Sequence, residues 1–274
     1  GSEIEREFRY DPITQVMDIP EQELLTRLSI LKDSELLYER GIHPRTSYIF
    51  RHALTQEVVY NSILARKKKD LHDVIGQAFE KLHQDNRDPY SGVLAKHFIA
   101  SENYEKGAEY SKLSAKKAMK TASIPDAISY TQQRVACLEK LPLTDDRQKK
   151  IIDARTTLAF YFAQLNNHIE AREAIDPIID SAVKQDNKKR LCQIKIILGN
   201  YYRFVEEDFP AALGAYEEGL KMAGEVADYI TLALASNWIG QMLADNCEFE
   251  KASHHMQTSL DINIQEIIWL AFLS

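Results

Sequence analysis

One pattern constrains this chain more than any other. An aliphatic residue followed at once by a small one recurs, with an aromatic residue or Leu three places on and an Ala or Gly nine to ten beyond that. Leu94-Ala95, Phe98 and Gly107 fit it, as do Leu158-Ala159, Phe162 and Ala171. Leu198-Gly199, Tyr202 and Ala212 repeat it with one extra residue in the turn, and Ile239-Gly240, Leu243 and Ala252 repeat it again. Large residues follow the second small residue by four, at Ile175, Tyr216 and Met256, and aromatic residues precede it by three, at Tyr104, Phe209 and Phe249. Steps of 40 and 41 residues separate the later copies: Ala212 to Ala252, Ala171 to Ala212, Gly199 to Gly240. Two helices approach closely only where the side chains between them are small. A repeat at this period therefore reads as stacked pairs of antiparallel helices, each pair burying its neighbour's apolar face.

The arrangement is similar to the tetratricopeptide repeat. The resemblance implies a mainly α fold, a right-handed α-α superhelix of helix pairs, whose concave face takes a protein or peptide. The step exceeds the usual length of about 34, and the Trp often found early in the first helix is missing. Between Gly107 and Ala127 the step shrinks to 20, so one helix from Tyr104 to about Thr121 would serve two successive pairs. Tyr201, Tyr202 and Tyr216 read as core and groove residues and are the partner-binding candidates. Only 10 Gly and 8 Pro in 274 residues argue against a sandwich or barrel, which needs frequent turns.

The front of the chain differs. Asp18 followed by Glu21 resembles a capping box, and Leu24, Leu28 and Leu31 form a helical stripe. Leu36-Leu37-Tyr38 and Tyr48-Ile49-Phe50 suit two strands around the breakers Gly41, Pro44 and Ser47. A helix followed by a β-hairpin is the back half of a winged-helix unit, with the front half absent or reduced to residues 3–17. A helix over Ala53–Leu64 has apolar residues round most of its circumference, which predicts burial. The next helix carries a one-sided stripe from Leu71 to Leu82, and His83 to Pro89 is a polar break. Ser123 and Thr144 precede first-turn acids and read as helix caps. The expected division is a partial winged-helix subdomain and junction helix over 1–66 and a tetratricopeptide-like domain over 67–274, truncated at the C-terminus. Gly1-Ser2 resembles a cloning remnant, and the closing IIWLAFLS is an apolar helix without a cap.

A net charge of −7 and a pI near 5.7 disfavour a nucleic-acid partner, which calls for a basic stripe. The single basic run, Arg66 to Lys69, reads as a solvated helix turn. Cys137, Cys192 and Cys247 are far apart and flanked by apolar helix, as free core thiols are. No apolar run reaches membrane-spanning length, so no membrane partner and a cytoplasmic location are expected.

The stretch from Glu35 to His72 carries a denser resemblance. Glu35-Leu36-Leu37-Tyr38-Glu39, Tyr48, Phe50-Arg51-His52-Ala53-Leu54-Thr55, Glu57-Val58, Tyr60 and Leu71-His72 resemble the junction between the winged helix and the repeats of bacterial STAND-type signalling ATPases. More narrowly, they resemble those fused to a class III adenylate/guanylate cyclase. The resemblance implies a neighbouring ATPase domain in the same polypeptide, binding ATP or ADP with Mg. His52, with Arg51 beside it, would then sense the nucleotide from a helix N-terminus. The alternative is that His52 is a packed histidine between hairpin and helix. The chain itself contains no GxxxxGK[ST] phosphate cradle and no recognisable cyclase carboxylates, so it is expected to hold no catalytic residues, cofactor or nucleotide of its own.

Other groups carry less. His254 and His255 project about 100° apart on a helix and do not share an ion easily with each other or with His168. His72 and His97 read as packed, satisfied histidines, and Glu206-Glu207-Asp208 as a solvated turn. The leading expectation is a non-catalytic regulatory arm of a signalling ATPase or nucleotide cyclase. The alternative is a winged-helix transcription regulator with a repeat sensor.

Overall fold

The structure is a computed structural model that describes residues 7–10, 13, 14, 17, 19–41 and 46–273, with 7, 9 and 265–273 described by backbone alone. It divides into two compact units, residues 1–114 and 115–274. The expected boundary between Arg66 and Lys67 is a division by architecture. It falls in the first turn of the helix Ala65–Leu82.

The first unit opens on a small sheet. β1 (Glu7–Arg9), β2 (Leu37–Arg40) and β3 (Ser47–Phe50) form an antiparallel sheet in the order β1–β3–β2. Ile49 of β3 lies opposite Glu7 on one side and Tyr38 on the other. The hairpin read from sequence is thus present, and a third strand comes from the segment expected to be absent or vestigial. α1 (Glu21–Asp33) packs Leu24 and Leu28 on Leu37 and Tyr48 of the sheet and on Tyr10. Leu31, the third member of the predicted stripe, is exposed. Pro20 occupies the N-cap of α1, while Asp18 and Pro44 lie outside the described residues.

Then follow α2 (Ala53–Ser62), α3 (Ala65–Leu82), α4 (Ser91–Ala100) and α5 (Tyr104–Lys120). α3 and α4 close on one another around Leu94, Ala95 and Phe98, with Tyr110 of α5 stacked on Phe98. Gly76 makes this crossing possible: a Cβ there would stand 3.0 Å from the Phe98 ring.

α2 corrects the sequence expectation. No residue of it is buried, and Leu54 and Val58 are 70% and 60% exposed. Apolar residues around a whole circumference give no single stripe, and between Leu54 and Asn61 the helix has no Gly, Ala or Ser that would admit a neighbour.

The second unit is an array of helices: α6 (Ile124–Glu139), α7 (Asp145–Gln164), α8 (His168–Ile175), α9 (Ile179–Lys184), α10 (Lys188–Tyr201), α11 (Phe209–Glu225), α12 (Tyr229–Asp245) and α13 (Phe249–Leu273). Successive helices pack on each other, as the tetratricopeptide-like reading requires. Pro177 sits in the 3₁₀ turn Asp176–Ile178 that separates α8 from α9. The extra residue between Gly199 and Ala212 is absorbed as a π-helical turn over Tyr202–Glu206, the usual way a helix takes up an insertion.

The core of the later pairs is Ile196, Ala212, Tyr216, Ala235, Ile239 and Met242. Here the small-residue rule is literal. A Cβ on Gly199 would fall 2.3 Å from the Tyr216 ring, and one on Gly240 would fall 2.8 Å from Met256 Cγ.

One turn recurs between helices. Glu102, Ala122, Asn166, Asp186, Glu207, Ala227 and Cys247 all adopt positive φ, each two residues before the next helix begins. The following N–H returns to a carbonyl of the finished helix, as from Asn103 to Phe98 (2.8 Å), Ser123 to Ala118 (2.9 Å) and Asp228 to Ala223 (3.0 Å). This is a Schellman-type ending built without glycine. Asn187, Asp208 and Asp228 then cap the next helix with their side chains. Thr144 caps α7 as read, while Ser123 donates to Asp126 rather than accepting a backbone N–H. The turn also corrects one cysteine: Cys137 and Cys192 are buried, but Cys247 sits in a left-handed turn and is exposed.

Candidate functional site

The junction from Tyr48 to His72 is built from β3, α2 and the start of α3. Tyr48 is buried in the sheet core, and Arg51 continues the pairing by donating its N–H to the Leu36 carbonyl at 3.0 Å. His52 ends the extended run with φ −121 and ψ 127 and stands at the N-cap of α2. Its carbonyl accepts the Thr55 N–H at 3.1 Å, while its side chain makes no capping bond and is exposed. The reading of His52 as a packed histidine is therefore overturned. Arg51 is placed differently. Its guanidinium pairs with Glu35 and lies over the Tyr38 ring at 5.5 Å, so it is committed to the hairpin. The hydrogen-bonding capacity toward an anion at this helix start rests on His52 and the first backbone N–H groups of α2.

The far end of α2 is tied to a chain of rings. The Tyr60 hydroxyl lies 2.9 Å from His72 Nε2, and His72 Nδ1 lies 2.8 Å from His97 Nδ1. Lys68 covers the Tyr60 ring at 4.6 Å. Between the two histidines one ring donates and the other accepts, so both cannot be protonated without losing the bond. Burial is the main cause that pushes His97 down to about 3, with the charges of His72 and Lys96 adding to it; burial also lowers His72. His97 Nε2 is buried without a partner, so the expectation of a satisfied histidine is corrected for that atom. Nothing in the 25-residue spacing of these histidines signals that they meet.

In the repeats, the three tyrosines separate. Tyr216 is fully buried, its hydroxyl donating to Asn200 Oδ1 at 2.7 Å, and burial raises its pKa. It belongs to the core and is withheld from any partner, which corrects its place among the binding candidates. Tyr201 and Tyr202 are half-buried, with Arg172 over the Tyr201 ring at 5.3 Å. His254 and His255 lie on α13 and His168 starts α8, stacked on Phe204. Glu206, Glu207 and Asp208 are exposed at the turn into α11, where the Asp208 carboxylate accepts the Ala211 N–H.

A polar ladder crosses the helices of this unit and was not legible from spacing. Arg134 Nη2 donates to Asp153 at 3.0 Å, and Arg190 pairs with the other oxygen of the same carboxylate. Arg190 donates to Gln193 at 2.6 Å, Gln193 to Asp228 at 3.0 Å, and Thr231 to Asp228 at 2.8 Å. Every member has a partner, so the ladder fixes the register of α6, α7, α10 and α12. The Cys192 thiol beside it is pushed up to about 11, chiefly by burial and then by Asp228. It is a poor nucleophile there.

No protein-family model matches this chain, and no curated protein matches it. Among solved structures it is similar to BtubC from P. vanneervenii, at 14% identity and a TM-score of 0.49 over 78% of this chain and 87% of that one. It is also similar to aspartyl phosphate phosphatase F from Bacillus subtilis, at 13% identity and a TM-score of 0.48, covering 91% of this chain and 66% of that one. A third is the STAND protein with a tetratricopeptide repeat sensor from Pyrococcus horikoshii, at 13% identity and a TM-score of 0.44 over 96% of this chain and 43% of that one. At these values the likenesses carry no functional argument. Among the described residues no helix is long and apolar enough to cross a membrane.

Proposed function

We propose that this chain is a non-catalytic regulatory and protein-interaction arm. Its repeats bind a protein or peptide partner, and the Tyr48–His72 junction couples that binding to a neighbouring nucleotide-binding domain of the same polypeptide. The observation that carries this reading is α2. A ten-residue helix with no buried residue, and with Leu54, Val58 and Val59 at least half exposed, gains little from its own unit. A helix this short is marginal alone, so a further surface packed on its exposed face would stabilise it.

Three features support the finer reading, a partial winged helix from a STAND-type ATPase fused to a nucleotide cyclase. The β1–β3–β2 order with α1 ahead of the hairpin is the strand order of a winged helix. His52 stands exposed at the start of the next helix with no capping bond. The residues that carry the family resemblance run through both. In the neighbouring domain ATP or ADP with Mg would supply the charge to be sensed. His52, rather than the committed Arg51, would face it, with the protein in the cytoplasm. Tyr201 and Tyr202 remain the partner-facing tyrosines of this reading. The net charge of −7 gives the DNA-reading alternative no support.

The test is ADP retention by the full-length protein. His52→Ala is expected to release bound ADP faster and raise basal activity. Unchanged retention together with unchanged activity would sink the sensor role.

A further inference from the structure

The π-helical turn Tyr202–Glu206 does more than absorb an inserted residue. It opens a run of seven exposed residues, Phe204 to Pro210, in which apolar side chains flank acids: Phe204-Val205, then Glu206-Glu207-Asp208, then Phe209-Pro210. Phe204 is 45% exposed, Val205 38% and Phe209 46%. Phe204 has a fixed place all the same. Its ring stacks on His168 of α8 at 4.7 Å, meets Trp238 of α12 edge-on at 5.7 Å and lies 4.9 Å from the Arg203 guanidinium. Arg203 is held in turn by Asp245 at 2.5 Å and is buried, with its Nη1 unpartnered. An unmatched buried donor is destabilising, so this ring is held in the open against a local penalty. Turns of this kind are frequent at functional sites. The insertion also explains Phe209. His168 and Phe209 hold the same place in successive repeats, three residues before Ala171 and Ala212. The inserted turn covers His168 with Phe204. The next repeat passes from α12 to α13 through Asn246–Glu248 without a π turn, and Phe209 stays open.

Charge names the occupant. Glu206 and Glu207 are exposed and make no ion pair, and the same holds for Glu170, which follows the exposed Ile169 at the start of α8. The cations of these turns are already committed, Arg203 to Asp245 and Arg172 to Asp176, each at 2.5 Å. The edge thus presents open apolar groups beside uncompensated negative charge, and carboxylates covered by a partner need a cation against them. We propose that this edge docks a protein segment that carries Arg or Lys among large apolar side chains. The apolar groups would cover Phe204, Val205 and Phe209, and the cations would pair with Glu206 and Glu207. This partner is the one that the proposed function assigns to the repeats, and the docking rests on that assignment. Docking shows in binding alone and coupling shows in ADP retention, so each can fail without the other.

Fluorescence anisotropy of a synthetic amphipathic helical peptide of Leu and Arg, titrated with the intact chain, tests it against the same peptide with Glu in place of Arg. The Leu/Arg peptide is expected to bind at least about tenfold more tightly than the Leu/Glu peptide. Glu206→Lys together with Glu207→Lys, at exposed positions, is expected to weaken its binding at least about tenfold, with helical circular dichroism unchanged. Phe204→Ala is expected to weaken it as well. The same charge change at the exposed pair Asp145 and Asp146, at the far end of α7 and about 30 Å along that helix, is expected to weaken it far less. No preference for the cationic peptide overturns the proposal. So does an equal loss from the Asp145 and Asp146 pair, or full binding by both edge variants. A chain that self-associates, and that becomes monomeric with Phe204→Ala, would assign the edge to a second copy and overturn it too.

Discussion

α2 and α11 have similar apolar content and opposite fates. α2 presents Leu54, Val58, Val59 and Tyr60 to solvent. α11 buries Ala212, Ala215, Tyr216, Gly219 and Ala223. The difference lies in what faces them. Gly199 on α10 leaves room for the Tyr216 ring, and the small residues of α11 admit α10 and α12 in turn. α2 has no such complement among its neighbours in the first unit. Apolar content makes a helix eligible for burial, and small residues at the crossing decide whether burial happens.

The contrast can be broken most forcefully at Tyr216. Tyr216→Ala empties a fully enclosed site and strands Asn200, so urea unfolding is expected to show a loss of about 3–5 kcal/mol. Gly199→Ala is next. The added methyl falls 2.3 Å from the Tyr216 ring, and overpacking of this kind costs about 1–3 kcal/mol, against a smaller gain in helix propensity. A loss near zero would mean that the crossing is looser than the small-residue argument requires.

The ring chain of the first unit adds a pH dependence. His97 is held neutral in the folded chain down to about 3, whereas in the unfolded chain a histidine takes a proton below about 6.5. The unfolded state therefore binds more protons between these values, and stability falls as pH drops from about 6.5 toward 3. Melting temperature against pH is expected to flatten over this window in His97→Phe. An unchanged slope would place the titrating group elsewhere.

Smaller effects separate the turns from α2. Ala227 and Ala122 hold φ of 53° and 55°, a conformation that glycine adopts without strain. Ala227→Gly is expected to add about 1 kcal/mol. Val58→Ser on α2 is expected to leave the isolated chain within about 0.5 kcal/mol of its original stability, because that side chain is 60% exposed.

The repeats were legible because their signal is local and redundant. Gly199, Gly240, Tyr216 and Met256 repeat at a fixed step and meet as that step predicts. The turns were only half legible. The caps Asn187, Asp208 and Asp228 are ordinary cap residues. The left-handed residue before each cap is Glu, Ala, Asn, Asp or Cys, so no glycine marks it. At the junction, His52 was correctly placed at a helix start, but its exposure and the capture of Arg51 by Glu35 depend on the hairpin register. The fate of α2 was misread because the sequence describes a helix's own surface and not what lies opposite it. The Tyr60–His72–His97 chain joins three helices at spacings with no periodic meaning, and only the fold brings it together.

Amide hydrogen exchange of the intact chain, read by mass spectrometry, tests the central contrast most directly. Peptides covering Leu54–Ser62 are predicted to exchange through local opening, far faster than those covering Cys192–Gly199 and Ala212–Ala223, which should exchange near the limit set by global unfolding. Equal protection of the two sets would contradict the account, because α2 would then be held by its own unit and would offer no open face for coupling.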